Sequence, residues 1–209
     1  MIQHIFLDIG GVLINIHPDR CAQYWADSAD LSLVEIKTAF SDEVHHAYET
    51  GRLTDHEFFT AFKEGLPHPC CLKESDFWRG WQKLLGKETA VSDLMKPLSK
   101  EYNLWLLSNT NPSHIRNEID LRYQFPNHIN GAIYSFDARV RKPDRAIYDY
   151  ALKTANALPS ESLFIDDLKE NIDMAQSLGW AGIHYKNFDQ LKDALKSYNI
   201  HIKNLELTT

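Results

Sequence analysis

The chain has 209 residues, 44% of them hydrophobic and 11% aromatic, so it can bury a sizeable core as one domain with an insertion or as two small domains. Its net charge of −7 argues against a nucleic-acid partner, because phosphate backbones are held mainly by clustered Lys and Arg. The sequence shows no apolar run long enough to span a bilayer and no charged-then-apolar leader, so we expect a cytoplasmic protein without a membrane partner. The three cysteines have no spacing that would frame a disulfide scaffold.

The first predicted element is a buried strand over residues 2–8, and it ends on Asp8. Two glycines, Gly10 and Gly11, follow before the chain turns apolar again. In open α/β sheets, ligands bind in the crevice beyond the carboxyl ends of the strands. Asp8, an acid at the end of a buried strand, is therefore a candidate catalytic or ligand-binding residue.

The next stretch, from about residue 18 to 86, has helical periodicity and no convincing strand. Two capping boxes, in which a hydroxyl and a carboxylate satisfy free backbone amides, stand at Ser32–Glu35 and Thr54–Glu57. Glycines placed to end helices follow at Gly51, Gly65 and Gly86. The pattern predicts four or so short, aromatic-rich helices inserted after the first strand.

Beyond residue 86, helices alternate with apolar runs, which is the pattern of βαβ units and a parallel sheet. Strands are predicted over residues 104–107, 131–135, 163–165 and 181–185. Helices are predicted over residues 88–101, 113–122, 143–158, 168–178 and 188–198, with Pro143 at the start of the third. Five strands alternating with helices predict an α/β fold.

Acidic residues stand at two strand ends of this sheet. Asp8 follows the first strand, and Asp166 and Asp167 follow the fourth. Together they could hold a hard cation such as Mg²⁺, which prefers carboxylate, carbonyl and water oxygens and usually shares its site with a phosphate.

A second set of polar groups suits a phosphoryl group. Ser108 and the backbone amide of Asn109 follow the second strand, and Lys142 precedes a predicted helix. Lysine supplies a compact positive charge, and backbone amides in a loop that leads into a helix favour anions. The sequence thus places an anion cradle and a cation site at one edge of the sheet.

Four segments, in this order, resemble the motifs of the haloacid dehalogenase superfamily. They are Phe-Leu-Asp8-x-Gly-Gly-Val, an apolar strand ending in Ser108-Asn109, Arg-Lys142-Pro-Asp and Phe-Ile-Asp166-Asp167. The resemblance covers nearly the whole chain. The segments 48–54 and 107–111 are most similar to the sugar-phosphate phosphatase branch, which includes α-D-glucose-1-phosphate phosphatases.

The resemblance implies a Rossmann-like core, formed by residues 1–16 and 87–209, with a parallel five-stranded sheet and helices on both faces. The strand order it implies is 5-4-1-2-3, with the first strand in the middle. Residues 17–86 would then be an α-helical cap of the kind that closes over small substrates.

The resemblance also implies a Mg²⁺-dependent phosphatase of small phosphate esters, with sugar phosphates as the expected substrates. Asp8 would attack phosphorus and form an aspartyl-phosphate that water then hydrolyses. Ser108, the Asn109 amide and Lys142 would bind the phosphoryl group, and Lys142 would neutralise charge shared with Asp8. The expected Mg²⁺ ligands are Asp8, the Gly10 carbonyl, Asp166 and Asp167.

The sequence departs from the family pattern at Gly10, where related phosphatases usually carry a second aspartate. The backbone carbonyl of Gly10 can still ligate Mg²⁺, but the side chain that would protonate the leaving group is missing. Since general acid–base assistance is worth about 10²- to 10⁴-fold, we expect slow turnover unless another group substitutes. Sugar-1-phosphates suit this loss, because their leaving group is more acidic than an ordinary alcohol.

Two alternative functions stay open. One is a metal-independent dehalogenase that uses Asp8 to displace halide from carbon. The other is a catalytically weak phosphate-binding regulator, because Gly10 replaces the usual acid–base residue.

For several other residues, a structural role is considered as well as a functional one. Asp167 could cap the helix that follows it, and Asn171 on that helix could touch the site. Of the adjacent His45 and His46, at most one could face the site, since neighbouring residues point to different helix faces. The aromatic set of the insertion is expected to form its core rather than a sugar-stacking platform; its members are Trp25, Phe58, Phe59, Trp78 and Trp81.

Overall fold

The computed structural model describes residues 1–201, and residues 202–209, the end of the predicted core, lie outside the described part. The strands are β1 His4–Leu7, β2 Ile14–Ile16, β3 Leu85–Glu88, β4 Asn103–Ser108, β5 Gly131–Tyr134, β6 Ser162–Asp166 and β7 Ala181–His184.

Helices account for most of the rest. In the inserted segment they are α1 Pro18–Ala29, α2 Leu33–Ala39, α3 Asp42–Glu49, α4 Asp55–Glu64 and α5 Glu74–Gln82. The later helices are α6 Ser92–Leu98, α7 Pro112–His114, α8 Asp120–Arg122, α9 Ser135–Ala138, α10 Arg145–Ala155, α11 Lys169–Ser177 and α12 Phe188–Ser197, with a π-helical turn at Ile115–Ile119 joining α7 to α8. None of the helices within residues 1–201 combines the length and apolar character that a membrane crossing needs.

Five strands form a parallel sheet in the order β5-β4-β1-β6-β7. Counted among the parallel strands alone, this is third-second-first-fourth-fifth, which is the predicted order read from the opposite edge. Alternation along β1 sends Ile5 and Leu7 into the hydrophobic core on one face and Phe6 into the core on the other. Because β1 is central and buried on both faces, the residue that follows it lies at the middle of the carboxyl edge.

The inserted helices α1–α5 share a hydrophobic cluster of their own. At its centre the ring of Trp25 stacks on Phe77 at a centroid distance of 4.8 Å. Trp25, Phe58, Phe59 and Trp81 are buried in this cluster and Trp78 packs against it. The aromatic residues therefore form a core, as expected. The two capping boxes, at Ser32 and Thr54, are both present and begin α2 and α4.

The expectation of no strand between residues 18 and 86 was wrong, as was a helix beginning at residue 88. Strands β2 and β3 pair antiparallel and form a ribbon between the sheet and the helices, and α6 begins only at Ser92. Gly86 lies within β3 and does not end a helix. A Cβ there would lie 2.6 Å from His17 Nε2 and 2.8 Å from the Asn15 carbonyl, so the close approach of the two strands requires glycine.

The division into a core and a cap stays a prediction, and the proposed boundary at residues 86 and 87 falls inside β3. Pro143 was also expected to begin a helix. Instead α10 begins at Arg145, because Asp144 serves as its N-cap and accepts a hydrogen bond from the Ala146 amide at 2.8 Å.

Candidate active site

Asp8 is the first residue after β1, and its position is fixed by the sheet. Its backbone amide donates to the Ile165 carbonyl at 3.0 Å, which continues the β1–β6 pairing. The side chain is largely buried, and Oδ1 lies 2.9 Å from Lys142 Nζ in an ion pair. No hydrogen bond of good geometry occupies that oxygen. Burial raises the pKa of Asp8 to about 6, although the charge of Lys142 opposes the shift.

Lys142 lies at the centre of the site with its ammonium fully enclosed. Nζ donates to the Leu107 carbonyl at 2.8 Å and to Asp166 Oδ2 at 2.6 Å, and it also contacts Asp8. Burial alone would lower the pKa of Lys142, but the two carboxylates outweigh it and the net shift is upward. Lys142 therefore stays charged between two acids from neighbouring strands.

Asn109 sets the backbone position of that lysine. Its side-chain Nδ2 donates to the Lys142 carbonyl at 3.0 Å, and its Oδ1 accepts from the Lys142 amide at 2.8 Å. The prediction for Asn109 concerned only its backbone amide. The structure gives its side chain a separate task, which is to tie the loop after β4 to the loop that carries Lys142.

Asp166 ends β6 and is completely buried. Its carboxylate accepts hydrogen bonds from the Leu168 amide at 2.8 Å and from Asn171 Nδ2, which lies 3.0 Å from each oxygen. Asn171 thus touches the site, as the sequence allowed. The backbone at the start of α11 is bound by Asp166 and not by Asp167.

The acids at the two strand ends come together as predicted. One carboxylate oxygen from each of Asp8, Asp166 and Asp167 lies within 4.8 Å of the others. Three carboxylates face the single ammonium of Lys142, so the cluster lacks positive charge, and its donors are the hard oxygens that Mg²⁺ prefers. These residues fit Mg²⁺. Gly10 lines the same cavity, and a role for its carbonyl as a ligand stays a prediction.

Gly11 makes room for one of these acids. Its φ is +78°, a conformation that glycine adopts without strain, and a Cβ there would lie 2.3 Å from Asp167 Oδ2. The second glycine after Asp8 is therefore needed for the Asp167 carboxylate to reach its place.

The predicted phosphate-binding residues face one cavity of about 710 Å³. Ser108, Asn109 and Lys142 line it together with Asp8 and Gly10. Asp167 lines the cavity too, and Asp166 is the one predicted site residue that does not, but it belongs to the same site through its contact with Lys142 and its place in the carboxylate cluster.

The inserted helices close the other side of this cavity. Its walls there are mainly apolar and include Trp25, Phe40 and Trp81. Of the two adjacent histidines, His45 lines the cavity and His46 is exposed. Burial lowers the pKa of His45 to about 4, so its ring is neutral at neutral pH.

One acid at the cavity was missed from the sequence. Glu49, the last residue of α3, lines the cavity and is only 6% exposed. Its Oε2 lies 3.1 Å from Arg141 Nη1, and its Oε1 lies 3.4 Å from His45 Nε2. A carboxylate at the negative end of a helix dipole is unfavourable, and that placement is a signal that could have singled out Glu49.

The family is decided by a model for haloacid dehalogenase-like hydrolases that matches residues 2–179. This chain belongs to the haloacid dehalogenase-like hydrolases. The strand-end acids, Ser108 at the end of β4 and Lys142 are thus the four motif positions on which the resemblance was based, now seen in one site.

Two curated relatives of this hydrolase are phosphatases by name. A D-ribitol-5-phosphate phosphatase from Bacteroides thetaiotaomicron is 26% identical over 198 residues, which are 90% of this chain and 93% of the relative. A sesquiterpene phosphatase from Aspergillus oryzae is 23% identical over 178 residues, 85% of this chain and 86% of that protein.

A solved structure shares the architecture. It is a haloacid dehalogenase family enzyme from Bacteroides thetaiotaomicron in complex with magnesium and inorganic phosphate, and it superposes with a TM-score of 0.80 at 25% identity. The match covers 91% of this chain and 99% of the other.

Proposed function

We propose that this hydrolase is a Mg²⁺-dependent phosphatase that cleaves small phosphate monoesters through an aspartyl-phosphate. The observation that carries the proposal is the contact of one enclosed ammonium, Lys142 Nζ, with Asp8 at 2.9 Å and Asp166 at 2.6 Å, beside Asp167 in the same carboxylate cluster. A nucleophile and a set of Mg²⁺ ligands thus meet at the mouth of one cavity. The similarity to named phosphatases and to an enzyme bound to magnesium and phosphate supports the same activity.

In the first step, Asp8 Oδ1 forms a bond to phosphorus while the ester oxygen departs with the electron pair of the P–O bond. Lys142 holds Asp8 in place and balances negative charge on the phosphoryl group, and Ser108 and the Asn109 amide bind phosphoryl oxygens. A water molecule then attacks phosphorus and releases inorganic phosphate and the free carboxylate. Asp8, the Gly10 carbonyl, Asp166 and Asp167 would hold Mg²⁺, which would supply further charge stabilisation.

We propose sugar or sugar-alcohol phosphates as the substrate class. The relative named as a D-ribitol-5-phosphate phosphatase, to which this chain is similar over 90% of its length, supports that choice. A cavity of about 710 Å³ is large enough to enclose such an ester. The relative named for a sesquiterpene makes an apolar ester the competing class, and the apolar wall at Trp81 is compatible with it.

The test is phosphate release by purified protein from a panel of phosphorylated metabolites and isoprenoid phosphates, with Mg²⁺ and with EDTA. We expect Mg²⁺-dependent release, fastest with sugar or sugar-alcohol phosphates, and a loss of about 10⁴-fold or more in the Asp8→Asn variant. Asp193→Asn, at an exposed acid of α12, is the matched control.

Other outcomes point elsewhere. Release that is unaffected by EDTA would remove Mg²⁺ from the proposal. Halide release from 2-haloacids in EDTA would favour a dehalogenase, and phosphate binding without any turnover would favour the regulator.

A further inference from the structure

The proposed reaction needs a proton at the ester oxygen. The residue two positions after Asp8, which could have supplied that proton, is Gly10 and has no side chain. Four carboxylates line the cavity in the part of the chain that the structure describes. Asp8 and Asp167 belong to the cation cluster, and Asp42 is exposed at the start of α3. Glu49 remains as the one buried acid of the cavity wall outside that cluster.

The surroundings of Glu49 leave it accessible to the cavity and without a full set of partners. Its Oε2 contacts Arg141 Nη1 at 3.1 Å, but no hydrogen bond of good geometry reaches that oxygen. Its Oε1 has only the more distant ring nitrogen of His45 at 3.4 Å. A buried carboxylate with this few donors is poorly stabilised as an anion and can take up a proton.

Arg141 also fixes where Glu49 stands relative to the nucleophile. Arg141 immediately precedes Lys142, whose ammonium contacts Asp8. A single peptide unit therefore joins the residue that holds Glu49 to the residue that holds Asp8. Through this link, the position of Glu49 on the inserted helices is coupled to the position of Asp8 at the sheet edge.

We propose, resting on the proposed function, that Glu49 is the catalytic acid and base of this enzyme, in place of the side chain that Gly10 lacks. As the P–O bond breaks, its electron pair goes to the ester oxygen, which takes the proton of the Glu49 carboxyl group. The Glu49 carboxylate then takes a proton from water as that water attacks the aspartyl-phosphate. Glu49 is protonated again and the cycle is closed.

The protonation behaviour of Glu49 suits both roles. Burial raises its pKa to about 7, Arg141 opposes the shift, and Asp8 adds to it. A pKa near the working pH lets one group donate and accept at useful rates. The charged and titratable groups facing it are Arg141, Lys142, Asp8 and His45, and the neutral His45 is no rival donor.

The test uses Glu49→Gln on esters whose leaving groups differ in acidity. With alkyl phosphates, which need a proton on departure, kcat/KM should fall by about 10²- to 10⁴-fold. With p-nitrophenyl phosphate, which needs none, the first turnover should stay fast. A burst of nitrophenol followed by a slow phase should then appear, because aspartyl-phosphate hydrolysis lacks its base.

Arg141→Ala is the matched control, because it removes the ion pair and keeps the acid. It should slow alkyl phosphates more than p-nitrophenyl phosphate, but by a smaller factor than Glu49→Gln, because the acid is retained and only its positioning is lost. The sharper control is rescue, in which Gly10→Asp is added to Glu49→Gln and should restore most of the rate on alkyl phosphates. The backbone at Gly10 does not have a positive φ, and a Cβ there would meet only Ile16 Cγ2 at 3.3 Å, so an aspartate needs that exposed side chain to move by a few tenths of an ångström.

The outcomes separate this inference from the proposed function. Equal losses on aryl and alkyl phosphates in Glu49→Gln, without a burst and without rescue, would make Glu49 a positioning residue and overturn the inference. A wild-type enzyme that releases no phosphate from any ester would instead overturn the proposed function.

Discussion

The side chain of Asn109 hydrogen-bonds both the amide and the carbonyl of Lys142, at 2.8 and 3.0 Å. The two residues come from different βα connections, so this pair of bonds sets the distance between the end of β4 and Lys142. Lys142 Nζ has three acceptors around it within 2.9 Å. A small shift of its backbone would misplace all three contacts.

Replacing Asn109 with alanine should therefore slow catalysis while leaving its backbone amide, the predicted phosphate donor, in place. We expect kcat to fall by about 10- to 100-fold, since a misplacement of about 1 Å costs up to about 10²-fold, with a smaller change in KM. Steady-state kinetics on one good substrate measures this. Asn127→Ala, at an exposed position, should change neither constant, and a normal kcat in Asn109→Ala would remove the positioning role.

The enclosed Lys142 should matter for stability as well as for activity. Lys142→Met leaves Asp8 and Asp166 facing each other without a cation, and breaking a buried pair in this way costs about 3–5 kcal/mol. Urea unfolding in EDTA at pH 8 should show that loss. Added Mg²⁺ should restore more stability to the variant than to the wild type, and an equal loss with and without Mg²⁺ would contradict a shared carboxylate site.

Gly11 offers a test of the cation site that leaves every acid unchanged. Gly11→Ala places a Cβ 2.3 Å from Asp167 Oδ2, so the carboxylate has to move and Mg²⁺ affinity should fall by about 10-fold or more. Titration calorimetry measures the affinity. Gly179→Ala is the matched control, because it has a similar φ of +88° and its nearest atom is Pro159 Cβ at 3.6 Å. It should lose stability but keep Mg²⁺ affinity.

The raised pKa of Glu49 predicts a pH-dependent stability. A carboxyl group whose pKa is about 7 in the folded state, against an ordinary value of 4.5, binds its proton more tightly when folded. Its contribution to stability is complete below about pH 4.5 and is lost as the pH rises through 7. Glu49→Gln does not titrate, so relative to wild type it should gain about 3 kcal/mol in free energy of unfolding between pH 4.5 and 8.

Denaturant unfolding in EDTA across that pH range measures the difference. Asp8 titrates in the same window in both proteins, so only its electrostatic interaction with Glu49 contributes to the comparison. A difference that does not change with pH would show that Glu49 is an ordinary ionised partner of Arg141.

The strand ends could be predicted because each buried strand is a short, continuous apolar run, and the first polar residue after the run marks its end. When Asp8, Ser108 and Asp166 each close such a run, the parallel sheet brings them to one edge. Lys142 is outside the strands, and its place followed from the family motif and not from periodicity. The five strands were predicted from their apolar runs, whereas their order was predicted only from the family resemblance.

Neither the pairing of β2 with β3 nor the contact that brings Glu49 into the site could be predicted, for a shared reason. Helical and strand periodicity indicate which face of an element is buried. They do not indicate which distant element packs against that face. A glycine in this sequence context favours a helix end, and only the close approach of Gly86 to Asn15 and His17 shows that two strands pair there. Glu49 needs Arg141, 92 positions along the chain, to be recognised as part of the site.

The ribbon also bears on how a substrate enters. The chain leaves the sheet through β2 and returns through β3, and these two strands are hydrogen-bonded neighbours. The five helices are thus joined covalently to the sheet at a single place, and we expect dihedral changes at a few residues there to let them swing as one unit. Opening by such a swing would carry Glu49 away from Arg141, so the same movement that admits solvent to Asp8 would also withdraw the proton donor. With Glu49 withdrawn, we expect an open enzyme to hydrolyse an aspartyl-phosphate only slowly.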